Sequence, residues 1–167
     1  YQKTFDGMLA TPLSIEEIII AEIVWSATKA AAAATIMLAV LGAFGYVQWP
    51  LGLLMIPLAF FGGIAFGAVG LFFTGIIPTI EMFNLPIFLF VTPMFLFSGT
   101  FFPVSNLPLW AQPLALAFPL YHLVQLSRLI CLGLHETVAV LSILYLFVFS
   151  AIFILLALVF MKKRLVK

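Results

Sequence analysis

Apolar residues run in four long stretches along this chain, separated by short polar or proline-bearing breaks. The first reaches from Ile23 to Tyr46 and stops at Gln48-Trp49-Pro50. The second reaches from Leu51 to Ile77 and stops at Pro78 and Glu81. The third covers Met82 to Phe101, and the fourth Thr137 to Met161. A helix needs about 20 apolar residues to cross the hydrocarbon core, and each stretch has that length. Pro50 suits a helix start. Pro86 and Pro93 predict kinks in the third stretch, because proline removes a ladder donor and clashes with the preceding turn. With the capped approach to the first helix included, the predicted spans are 15–46, 51–77, 82–101 and 137–161. Between the last two lies 102–136, apolar but carrying Pro103, Pro108, Pro113 and Pro119. Four prolines in 17 residues do not fit one straight spanning helix. The segment reads as short helices lying in, or re-entering, the outer interface. The expected fold is all-α, a polytopic membrane helical bundle of four spanning helices with outer re-entrant short helices.

Composition agrees. Of 167 residues, 65% are hydrophobic and 8% charged, whereas soluble domains carry about a quarter charged residues. There is too little polar surface to cover a water-soluble domain. A disordered chain, a secreted disulfide scaffold and a free-standing nucleic-acid binder are excluded. The net charge of +1 implies no bulk electrostatic partner, and Cys131 has no second cysteine to pair with. Lys162, Lys163, Arg164 and Lys167 close the chain, which predicts a cytoplasmic C-terminus. Four spans then return the N-terminus to the cytoplasm as well. Tyr1 to Ala10 is mixed and polar, with no visible signal peptide. A chain beginning at Tyr1 is expected to be a piece of a longer protein.

Tyr1, Phe5, Met8 and Leu9 fall on one helical face, and Thr11-Pro12 ends that helix. This amphipathic segment, 1–12, reads either as an interfacial helix resting on lipid or as a docking element for a cytoplasmic partner. Ser14 and Glu17 have capping-box spacing for the next helix. Glu22, Ser26 and Lys29 follow at i, i+4 and i+7 as a polar stripe. They are either boundary charges, with Lys29 snorkelling, or a wall of a polar path or subunit contact. Small residues at Ala30 to Ala34, and Gly62, Gly63, Gly67 and Gly70, permit close helix approach within the chain or between copies. In the proline-rich segment, His122, Arg128, His135 and Glu136 default to interfacial structural roles, and His122 and Arg128 are candidates for the mouth of a pathway. Two histidines 13 positions apart, with no nearby Cys or Asp, make a poor metal site.

Catalytic motifs are missing. No P-loop is present, and no Gly precedes a Lys. His135-Glu136 lacks the second His of a zinc-protease motif. Asp6 is the sole Asp, so a two-aspartate membrane protease is excluded. Ser98 has no His within 20 residues to activate it. If the chain moves a substrate, the energy comes from elsewhere.

Two stretches resemble the permease subunits of type-2 ABC exporters. One is Met8-Leu-Ala-Thr-Pro-Leu-Ser14 leading to Glu22, where the family often has Gly-Lys in place of Ala21-Glu22. The other is Phe97-Ser-Gly-Thr-Phe-Phe-Pro103, then Leu107-Pro-Leu-Trp110, Pro119-Leu-Tyr-His122, Arg128 and Gly133. The branch is similar to nodulation-factor exporters and drug-resistance permeases. Family members usually have six spans, so the chain resembles a carboxy-terminal part. The resemblance implies that 1–12 is a coupling helix docking on an ABC ATPase subunit through Tyr1, Phe5, Met8, Leu9 and Pro12. It implies that the proline-rich helices cap the exit, where His122 and Arg128 are pathway candidates; Glu22, Ser26 and Lys29 are the pathway candidates on the first span. It further implies a second permease copy as partner, a bacterial inner membrane setting, and no cofactor on this chain, with ATP bound by the partner. A non-transporting assembly protein and an intramembrane enzyme are the competing classes.

Overall fold

The computed structural model describes residues 14–132 and 138–165. The expected docking helix with Tyr1, Phe5, Met8, Leu9 and Pro12 therefore lies outside the described residues, as do His135 and Glu136.

Helix α1 spans Ile15–Ala43. Ser14 caps it as its sequence predicts: its hydroxyl accepts from the Glu17 N–H at 3.2 Å, and its own N–H donates to Glu17 Oε2 at 2.7 Å. The helix stops three residues before the expected Tyr46. Gly45 takes the left-handed conformation, φ +76°, that favours glycine, and the Tyr46 N–H folds back to the Leu41 carbonyl at 3.0 Å. A tight turn, Leu51–Leu54, then leads into α2, Met55–Ile76.

The expected third span is shorter than its apolar stretch. Helix α3 covers Glu81–Phe97 and is not one regular helix. Between Pro86 and Pro93 it widens into a π-turn over Ile87–Val91, where both the backbone N–H and the hydroxyl of Thr92 reach the Ile87 carbonyl. Pro93 has no N–H, and its ring excludes the carbonyl four residues back, so the ladder shifts by one residue. Two short helices follow, α4 at Gln112–Leu116 and α5 at Pro119–Leu132. The last helix, α6, spans Val138–Leu165. It continues past the expected end at Met161, because Lys162, Lys163 and Arg164 suit the negative end of the helix dipole.

Among the described residues, α1, α2 and α6 are long and apolar enough to cross a membrane. At about 1.5 Å per residue, α3 is roughly 25 Å long, and it still joins the two ends of the bundle. One end is basic: Lys162 Nζ meets Glu16 at 2.7 Å, and Arg164 donates to the carbonyls of Thr74 and Ile77 at the close of α2. The other end is proline-rich. There the Gln48 N–H meets the Cys131 carbonyl, Arg128 meets Gly99, and His122 meets Ser142. All three contacts lie at the same end, so 102–132 leaves and returns without crossing.

Helix α2 sits between α1 and α6. Gly63 lets it approach α1 so closely that a Cβ there would stand 2.5 Å from the Ala27 Cα. Ile19, Ile23, Ala68 and Met161 form the shared core of these three helices. Phe72 packs edge-on against Phe153 and Phe160 of α6. Elsewhere large apolar side chains point outward, Leu89 at 82% and Phe88 at 73% exposed. Such a surface needs hydrocarbon around it.

Candidate functional site

Two features stand out. The first is the lock that holds the proline-rich cap. Gly99, left-handed at φ +79°, ends α3. Its carbonyl accepts from Arg128 Nη2 at 2.5 Å. Beside it Ser98 is fully buried, and its hydroxyl meets Thr100 Oγ1 at 2.6 Å. His122 is also buried. Its Nε2 donates to the Leu116 carbonyl at 3.0 Å, since a carbonyl can only accept, and in the neutral ring Nδ1 then accepts from the Ser142 hydroxyl at 3.1 Å. The ring stacks on Tyr145, 4.1 Å between centroids, and the Tyr145 hydroxyl donates to the Ala117 carbonyl. Burial pushes the His122 pKa below its ordinary value, against a smaller opposing pull from the Leu116 carbonyl.

This arrangement suits fixing short helices, not proton transfer, because both ring nitrogens already have partners. Arg128 and His122 do not touch each other; each clamps a different part of the cap. Sequence reasoning missed Ser142 and Tyr145. The one available signal was a pair of hydroxyl-bearing residues three apart, Ser142 and Tyr145, on a largely apolar last span.

The second feature is an apolar cleft between α2 and α3. Two cavities, of about 390 and 480 Å³, share Phe73, Pro86 and Phe90 as walls. Gly70 opens the α2 side, since nothing stands within 4 Å of where its Cβ would be. The π-turn opens the α3 side by placing Ile87, Phe90 and Val91 along it.

The polar stripe on α1 divides. Ser26 faces α2, where its Oγ donates to the Ile23 carbonyl and fills the space that a side chain at Gly67 would need. Glu22 is half-buried, and Lys29 is exposed with Nζ 5.7 Å from the Trp25 ring. No ion pair joins Glu22 to Lys29 among the described residues. No three His, Cys, Asp or Glu side chains gather to hold a metal there either.

Long apolar helices, a helix broken between prolines and a cap that stays at one end define a polytopic α-helical membrane protein. The profile of the ABC-2 type transporter family matches residues 2–132, and the chain belongs to that family. It is 38% identical over 132 residues to nodulation protein J of Rhizobium leguminosarum bv. trifolii, covering 79% of this chain and 50% of that protein. It is 35% identical over 127 residues to nodulation protein J of Sinorhizobium fredii (strain NBRC 101917 / NGR234), covering 76% and 48%. Against "Probable multidrug ABC transporter permease YbhR" of Escherichia coli (strain K12), identity is 31% over 135 residues, covering 78% and 36%. The chain spans about half the length of the nodulation proteins it matches. No solved structure matches it.

Proposed function

We propose that this chain is part of the membrane permease subunit of an ABC exporter. It forms one side of a substrate pathway and is driven by ATP hydrolysis on a separate ATPase subunit. The observation that carries this reading is the family match, which runs unbroken through α1, α2, the broken α3 and the locked cap. In this reading ATP is bound and hydrolysed on that separate subunit, in keeping with the lack of a P-loop in this sequence.

In this reading the basic end faces the cytoplasm of a bacterial inner membrane, and both termini lie there. Segment 1–12 docks on the ATPase through Tyr1, Phe5, Met8 and Leu9, with Pro12 ending the docking helix. A second permease copy completes the pathway, and membrane lipid surrounds the exposed apolar faces. Glu22 toward the basic end, Lys29 midway along α1, and the cap held by His122 and Arg128 border the route; Ser26 supports it from within the α1–α2 contact. The names of the relatives, nodulation proteins and a multidrug permease, favour an amphiphilic cargo.

Co-expression with the ATPase subunit tests this. The expected result is co-purification that Phe5→Asp abolishes without affecting membrane insertion, because a charge is forced into an apolar groove contact. Equal recovery of the ATPase with wild type and variant would return segment 1–12 to a lipid-surface role.

A further inference from the structure

At the basic end of the bundle the α2–α3 cleft has a cationic neighbour. Ile76, Ile77 and Pro78 line its larger cavity and also a third one, of about 350 Å³, whose remaining wall includes Lys163 and Arg164. An apolar slot and a cationic mouth therefore border the same segment.

The three cations at this end are used differently. Lys162 is paired with Glu16. Arg164 Nη1 donates to the Thr74 and Ile77 carbonyls, which fixes the guanidinium at the mouth while leaving Nη2 and Nε without partners among the described residues. Lys163 Nζ lies 5.9 Å from the Phe160 ring and has no carboxylate partner among the described residues. Glu81, the acidic residue of the turn into α3, does not line this cavity.

The slot is narrow. Its walls are almost wholly apolar, and a flexible hydrocarbon chain fits between them.

We propose that this is a binding site for an anionic phospholipid of the leaflet at the basic end. Its phosphate lies against Lys163 and Arg164, and one acyl chain enters the α2–α3 cleft. Basic pockets between transmembrane helices select anionic head groups in this way. The basic residues at this end would orient the protein even if scattered; here two of them border a mouth beside an apolar slot. The lipid would hold the irregular α3 against α2 through a contact that its own side chains leave open.

Native mass spectrometry of the full chain, released from nanodiscs of equal phosphatidylglycerol and phosphatidylcholine, tests the site. The expected result is selective retention of phosphatidylglycerol. Lys163→Gln should reduce that retention about fivefold, the effect of one cation near a membrane surface. Gly70→Leu changes no charge but fills the cleft, and should reduce retention by a similar factor while the melting temperature is kept. Millimolar glycerol phosphate should not displace the lipid; displacement would indicate a phosphate site and overturn the proposal. Equal retention of the two lipids would overturn it, as would loss with Lys163→Gln but not with Gly70→Leu. A second copy of the chain retained in place of lipid would assign the cleft to protein. The readout is lipid retention, so it can fail while the permease reading stands.

Discussion

Arg128 Nη2 donates to the carbonyl of Gly99, a residue 29 positions earlier. This bond closes the end of α3 with a side chain from α5. It ties the broken helix to the cap that follows it, so that a shift of either is felt by the other.

Replacing Arg128 with Met should therefore loosen the cap while leaving the long helices folded. A hydrogen bond to a charged donor contributes about 1.5–3 kcal/mol when buried; Arg128 is half-buried, so about 1–2 kcal/mol is expected. With Cys131 replaced by Ala, a cysteine at the buried Ser98 should react faster with maleimide in the variant, and Arg128→Lys should restore part of the protection. Unchanged reactivity would show that the bond does not hold the cap.

His122 makes the cap sensitive to acid. Burial lowers its pKa in the folded protein from the ordinary 6.5, so protonation favours the unfolded state. Its contribution is complete above 6.5 and is lost as pH falls through the lowered native value. Thermal melts should fall between pH 7 and pH 5 more steeply in wild type than in His122→Gln. Ser142→Ala leaves Nδ1 without its partner and should cost about 1–3 kcal/mol at pH 7.

The α1–α2 contact should resist enlargement at Gly63 and accept it at Gly70. A Cβ at Gly63 would meet the Ala27 backbone at 2.5 Å, which cannot move aside as a flexible side chain would. Gly63→Val should cost about 1–3 kcal/mol through overpacking. Gly70→Ala, with open space beside it, should be neutral or slightly stabilising in the same detergent melt.

With Cys131 replaced by Ala, single cysteines at Ser105 and Val166 should label from opposite faces of a sealed vesicle. Ser105 is expected to react from outside and Val166 from the cytoplasm. Labelling of both from one side would contradict the orientation proposed for the chain.

Local features were legible in the sequence. The Ser14–Glu17 capping box acts within one turn, and it forms as its spacing predicts. Prolines at 86 and 93 announced an irregular α3, because each acts on its own helix. The form of the irregularity, a π-turn held by Thr92, depends on how the ladder relaxes and was not readable. Roles set by distant partners were also hidden. Ser26 looked like part of a polar stripe, but Gly67 across the helix contact decides its place. His122 and Arg128 looked like residues at a pathway mouth; their partners Ser142 and Gly99 lie 20 and 29 positions away. Lys162 and Glu16 are 146 positions apart. No periodicity within one segment can report such pairs.

The most direct test of the central claim is ATP hydrolysis in proteoliposomes that contain the ATPase subunit with the permease carrying this chain. The proposal predicts hydrolysis that rises when an amphiphilic cargo is supplied, accompanied by its movement across the bilayer, and both lost when Phe5 is replaced by Asp. Hydrolysis and cargo movement that are the same with and without this chain would contradict it.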